Sequence, residues 1–314
     1  MRKFLILISV LLLVFCCSKK KDTLDNSWIK VPGYPSQSPY SMFFLRDTLV
    51  VADDFFAGSF YTSADNGRRW SETNTSFDGT VTPFFSYQNR IYAGQTNGAY
   101  YSDNMCKSWV IKNNGLPTDF NMINLVGTDI GLFACGYGLY NSNDLGDTWT
   151  KVETPDFVQI STIAYIENAL IVYAIKAEAS TSGIYKSEDN GQSWTYINSA
   201  SGISESYVNK FIVSNNRLYA VGALPGAVYV SNDKGSTWIK SAGLNANGIN
   251  YINTIISSNA SLYAGSTQGV FKSDDYGINW VYIGCYNVLS LALKDHVLYA
   301  GTISQGLWAA LLKD

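Results

Sequence analysis

A short pattern of serine, aspartate, glycine and tryptophan returns along this chain at a nearly constant interval. No other feature of the sequence limits the fold as far. Ser63, Asp65, Gly67 and Trp70 stand in the same relative positions as Ser142, Asp144, Gly146 and Trp149. The same holds for Ser187, Asp189, Gly191 and Trp194, for Ser231, Asp233, Gly235 and Trp238, and for Ser273, Asp275, Gly277 and Trp280. A sixth copy opens at Ser102 and has Asn104 for the acid and Cys106 for the glycine before Trp109. Successive tryptophans lie 39, 40, 45, 44 and 42 residues apart. A period of that size marks one supersecondary unit that buries its apolar face only by stacking on its neighbours.

Two short alternating runs joined by small turn residues precede each copy, as in Arg90 to Gly94 followed by Gly98 to Tyr101, which is the signature of antiparallel strands. Further upstream lies a more continuously apolar run, such as Phe211 to Val213, Ile255 and Ile256, or Leu289 to Leu293, expected to form an inner strand buried on both sides. Val297 to Gly301 and Gly306 to Trp308 make a seventh unit that stops before its outer strand. Trp28 to Val31 resembles the segment immediately after each copy of the pattern, so the N-terminal strand is expected to complete the last unit and close a ring. From Trp28 to Asp314 there are 287 residues, or 41 per unit. The expected fold is all-β: a seven-bladed β-propeller of four-stranded antiparallel blades, in which ring closure leaves few exposed strand edges.

The serine, aspartate and glycine fall where the third strand of a blade turns into the fourth. There the hydroxyl and carboxylate bond to turn amides, glycine permits positive φ, and the tryptophan ring packs under the turn. Truncating such a ring costs about 3 to 5 kcal/mol in a packed core. Six similar turns spread around a ring cannot converge on one catalytic site, and they lack the alternating oxygen ligands of a calcium loop. The pattern resembles that of Asp-box, or BNR, repeat proteins over nearly the whole chain. Similar repeats occur in sialidases, xyloglucan-cleaving glycosidases, sortilin-type receptors and a photosystem assembly factor, so the resemblance implies the fold and leaves the function to the loops. Resemblance to sialidases would imply three arginines gripping a carboxylate. After the leader the chain has only Arg46, Arg68, Arg69, Arg90 and Arg217, all placed by the pattern on the rim opposite the ligand mouth.

Arg2, Lys3 and the apolar run Phe4 to Phe15 read as an export signal, since twelve residues are too few for a comfortable membrane span. Cys16 and Cys17 come next. This resembles the leader of bacterial lipoproteins, with residues 1–16 removed, Cys17 (or Cys16) lipidated, and residues 17–27 as a tether to a propeller at 28–314. The expected location is the bacterial cell envelope, lipid-anchored at the outer membrane. Formal net charge is −3 and falls to −5 without Arg2 and Lys3, so nothing favours a nucleic acid partner. Cys106, Cys135 and Cys285 lack metal-ligand spacing and are expected to stay free, the last two as small apolar residues in strands. No metal and no cofactor is expected.

The mouth loops are expected to carry Asp53, Asp54, Asp78, Asp119, Asp156, Glu178 and Glu205, candidates for the carboxylate pair of a glycosidase. The same loops carry Tyr34, Tyr40, Phe55, Phe77, Phe120, Phe157 and Tyr207, together with Phe56, Tyr137 and Tyr286, as candidate ligand-binding aromatics. Phosphate loops, nucleophile elbows and paired cysteines are missing. The leading expectation is therefore a monomeric, non-enzymatic envelope lipoprotein. Its propeller face would bind a protein or glycan as an assembly or uptake accessory, and a glycosidase is the alternative.

Overall fold

A computed structural model describes residues 28–53, 59–74, 84–95, 97–178, 182–197, 201–203, 207–222, 227–244, 251–258 and 261–312. The leader, both candidate lipidation cysteines and the tether lie outside them. Seven four-stranded antiparallel sheets succeed one another along the chain. Blade 1 is β2 (Pro39–Leu45), β3 (Thr48–Asp53), β4 (Ser59–Ser63) and β5 (Ser71–Asn74). Blade 2 is β6 (Phe84–Tyr87), β7 (Arg90–Gln95), β8 (Gly98–Ser102) and β9 (Val110–Ile111). Blade 3 comprises β10 (Asn124–Thr128), β11 (Gly131–Gly136), β12 (Gly138–Ser142) and β13 (Thr150–Val152). Blade 4 comprises β14 (Phe157–Ile166), β15 (Ala169–Lys176), β16 (Gly183–Ser187) and β17 (Thr195–Ile197). Blade 5 runs through β18 (Val208–Ser214), β19 (Arg217–Gly222), β20 (Val228–Ser231) and β21 (Ile239–Lys240). Blade 6 runs through β22 (Ile252–Ser258), β23 (Ser261–Ser266), β24 (Gly269–Ser273) and β25 (Val281–Gly284). Blade 7 is β26 (Val288–Lys294), β27 (Val297–Thr302) and β28 (Gly306–Leu311), completed by β1 (Ile29–Lys30).

The closure is a two-residue ladder, Ile29 opposite Ala309 and Lys30 opposite Trp308, extended by the Val31 amide to the Leu307 carbonyl at 2.8 Å. So short a strand is held by its flanks. Trp28 donates its indole N–H to the Ile283 carbonyl of blade 6 at 2.9 Å, and Val31 is buried between blades 7 and 1. The turns between first and second strands are tight. Gln88 and Asn89, Glu167 and Asn168, Asn215 and Asn216, and Asp295 and His296 each place two consecutive residues at positive φ, matching the twist that paired strands require.

The core is divided. Seven apolar clusters occur, and each joins the facing sides of two neighbouring blades, for example Ile171 and Tyr173 with Phe211 and Trp238, or Met42 and Val51 with Tyr299 and Leu307. The second strand of every blade is buried on both faces although it reads as an alternating run, whereas the inner strands, expected to be buried on both sides, keep partly exposed positions, as in β2, β18 and β22, because their free edge lines the centre of the ring. Cys135 is buried in β11, whereas Cys285 lies just past β25 at φ 54, outside the strand expected for it. Both thiols are free and burial raises their pKa, that of Cys285 to about 12.

Candidate functional site: the mouth and the central channel

The repeated pattern closes the turn from third to fourth strand by one set of bonds. In blade 3, Ser142 Oγ donates to Asp144 Oδ1 at 2.7 Å and accepts the Gly146 amide at 2.8 Å. Asp144 Oδ1 also accepts the Thr148 amide at 2.9 Å, and Oδ2 accepts the Thr148 hydroxyl at 2.6 Å. Ser193, Thr237, Asn279 and Arg69 supply the corresponding side-chain donor in blades 4, 5, 6 and 1. In blade 2, Asn104 keeps the acceptor role toward the Ser108 amide at 3.0 Å and donates its own amide to Ser108 Oγ at 2.8 Å. The residue after the aspartate takes positive φ even as Leu145 (62°) or Tyr276 (61°). Arg217 lies 3.6 Å over the Tyr276 ring and offsets part of that strain. These carboxylates are fully occupied in holding turns.

Four of the five arginines are engaged on the same rim. Arg46 donates to Asn89 at 2.7 Å, Arg69 pairs with Asp65 at 2.8 Å, Arg90 lies over Tyr101, and Arg217 donates to Asn232 at 2.6 Å. A cleft of about 420 Å³ also lies on this rim, between Tyr87, Asp129 and Leu145. The opposite face is formed by the second-to-third-strand turns and the connections between blades, and there the candidate acids scatter. Asp53 is buried at 5 % exposure and accepts the Tyr34 hydroxyl at 2.9 Å and the Ser36 hydroxyl, so it latches the N-terminal connection to blade 1. Asp119, Asp156 and Glu178 are exposed on three separate connections. Asp54, Asp78 and Glu205 lie outside the described residues. Among the described residues no three His, Cys, Asp or Glu side chains gather as metal ligands.

The candidate aromatics divide in the same way. Tyr34 packs edge-on against Tyr61 and Trp70, and its burial, together with Asp53, raises its hydroxyl pKa. Phe120 is 2 % exposed against Tyr140, Phe157 packs on Tyr185 and Trp194, Tyr207 meets Tyr173, and Tyr40 is half-buried. Phe55, Phe56 and Phe77 fall outside the described residues. The open rings are Tyr137 at 60 %, Tyr286 at 54 % and Tyr251 at 47 % exposure, with Ile303 beside the Asn287 backbone. Tyr251 was not singled out by the sequence, because it stands at the end of a largely polar connection, directly after Asn250.

One residue of the channel wall is equally hard to find from sequence alone. A bulge recurs near the start of β2, β14, β18, β22 and β26, and it sets Ser41, Thr162, Lys210, Thr254 and Ser290 at one level of the inner strands, with Asn124 at the same level of β10. Most of these small polar groups sew blade to blade. Ser41 donates to the Phe84 carbonyl at 3.5 Å, Asn124 to Thr162 Oγ1 at 3.3 Å, and Ser290 to the Pro39 carbonyl at 2.7 Å, while the Phe211 amide donates to Thr162 Oγ1 at 3.1 Å. Lys210 has no hydrogen-bond or ion-pair partner among the described residues. Its side chain is exposed to water, yet the protein packed around it desolvates the ammonium and lowers its pKa. Both conditions are met by a side chain standing in a water-filled channel walled by protein. Aligning the six inner strands described at this level reveals it in the sequence, as a lysine where the other five carry serine, threonine or asparagine.

No protein-family model matches this chain, and no curated protein matches it in sequence. Solved structures match its fold. YCF48 bound to D1 peptide superposes with a TM-score of 0.64 at 13 % identity, over 91 % of this chain and 95 % of that one. PorZ, an essential bacterial surface component of the type-IX secretion system of Porphyromonas gingivalis, superposes with a TM-score of 0.65 at 16 % identity, over 89 % of this chain and 47 % of that one. An ancestral GH74 enzyme superposes with a TM-score of 0.55 at 20 % identity, over 73 % of this chain and 36 % of that one. At such identities the likeness concerns the fold. The chain is a seven-bladed, BNR-like β-propeller, and what it binds must be argued from its own side chains.

Proposed function

We propose that this chain is an exported, lipid-anchored envelope protein whose mouth face holds a segment of a partner protein without transforming it. The observation that carries this is the division of the mouth: Tyr137, Tyr251 and Tyr286 stand open, whereas the described acids are latched, as Asp53 is, or dispersed. Exposed tyrosines give a large amphipathic contact area at little entropic cost, which suits a peptide or a sugar face. Support for a protein ligand comes from two neighbours of the same fold, one bound to a peptide and one a component of a secretion system. The lipid anchor rests on the leader sequence. The first described strand, β1, is the outer strand of blade 7, so the propeller is joined to the segment before it at its perimeter.

The test is a paired screen of the exported protein against an array of envelope-protein peptides and a panel of fluorogenic glycosides. The expected result is a set of captured peptides lost on Tyr137→Ala with Tyr286→Ala, and no turnover. Glycoside turnover abolished by Asp119→Asn or Asp156→Asn would replace binding with hydrolysis. Release of a Cys17→Ser variant into the soluble exported fraction is expected from the anchor, and retention of that variant together with release of Cys16→Ser would move the lipid to Cys16.

A further inference from the structure

We propose that Lys210 anchors a carboxylate-binding site in the central channel, and that the carboxylate belongs to the peptide held at the mouth; the second half rests on the protein-binding reading above. Equivalent residues of other blades spend their polar groups on sewing inner strands together, as Ser41, Thr162 and Ser290 do. Lys210 sews nothing. Its bulge makes Asn209 an extra residue in β18, and Asn209 is likewise exposed. Charge inside protein walls is stable when it is matched, and among the described residues no carboxylate pairs with the Lys210 ammonium.

The chemistry of the wall narrows the ligand. Among the described residues of the seven inner strands, the other charged side chain is Lys294, at the far end and paired with Asp47 at 2.7 Å. Among the described residues of the inner strands, the upper channel presents one fixed positive charge among hydroxyls, amides and apolar groups, in a chain whose net charge is acidic. Low-dielectric walls focus that charge. A singly charged carboxylate is neutralised by it, whereas a phosphate dianion would keep an unmatched charge in the same desolvated place. An acidic side chain and a C-terminal carboxylate share this chemistry.

Differential acylation of the exported protein with an amine-reactive acetyl ester, read at Lys210 by peptide mass spectrometry, tests the site. The exposed Lys151 and Lys240 serve as internal references. With propionate present at about ten times its dissociation constant, mass action slows Lys210 acylation about tenfold and leaves both references unchanged. Propionamide and sodium chloride at equal ionic strength are without effect. Protection by a peptide with a free C-terminus but not by its amide assigns a terminal carboxylate, and protection by an amidated peptide carrying one Asp assigns a side chain. Calorimetry on Lys210→Met shows the loss of propionate binding, and Lys210→Arg retains part of it. The site is overturned if no carboxylate slows acylation of Lys210, or if phosphate protects as well as propionate does. The peptide assignment is overturned if galacturonate protects while no peptide does. Protection of Lys210 by propionate, together with peptide capture indifferent to Tyr137 and Tyr286, leaves the carboxylate site standing and removes the mouth reading.

Discussion

Each aspartate of the repeated turns gathers three donors onto one carboxylate, and that arrangement ties the stability of the turn to its ionisation. The Arg69 side chain and amide hold Asp65 at a pKa of about 2, and the Thr148 and Ser193 hydroxyls with their amides do the same for Asp144 and Asp189. A depressed carboxylate contributes its stability above its unfolded pKa of about 4 and loses it as the pH falls through the folded value. The thermal midpoint is therefore expected to hold above about pH 4 and to fall steadily toward about pH 2. Replacing Asp65, Asp144 and Asp189 together by Asn should flatten that fall, as the native Asn104 shows an amide can close the same turn. Midpoints measured by circular dichroism across this range decide it, and superimposable wild-type and triple-variant profiles would refute the assignment. These turns were legible in the sequence because every bond in them is local. Lys210 and Tyr251 were not legible residue by residue, since whether a loop or inner-strand side chain faces the channel depends on the neighbouring blades.

At the scale of elements, the closure depends on a contact that the repeat does not show. Gly284, at the end of β25, has φ +108, and a Cβ there would stand 2.7 Å from the Trp28 ring. Gly284→Ala thus meets strain at its own backbone and displaces the indole that donates to Ile283. A loss of about 2 kcal/mol or more is expected from the two effects together, read as a lowered midpoint in urea. An unchanged midpoint would show that Trp28 is not what seats β1. The existence of β1 was legible from the likeness of Trp28 to Val31 to other outer strands. Its length of two residues was not, because the flanking side chains rather than backbone pairing hold it. The mouth aromatics show the reverse. Phe120, Phe157 and Tyr207 read as loop residues, yet connections that cross between blades carry apolar side chains inward to cap the interface below.

The whole molecule has seven interfaces of similar make and no single centre, so its stability is a sum around a ring in which each blade depends on both neighbours. Removing residues through Ser38 deletes β1, Val31 and the Tyr34 latch to Asp53, and opens the ring at one interface. Amide hydrogen exchange should then quicken first in β2 and in β26 to β28, with blades 3 to 5 protected longer. Uniform exchange in all seven blades would mean that the ring unfolds as one unit. The pairing of Ile29 with Ala309 has a consequence in time as well. The first strand synthesised cannot be seated until the last one exists, whereas the intervening blades pair with partners made only moments before. Completing the molecule is therefore its most non-local event and the expected slow phase of folding. Until then β1 stays without a partner, and the bare edge of β28 will accept the same strand from a neighbouring copy.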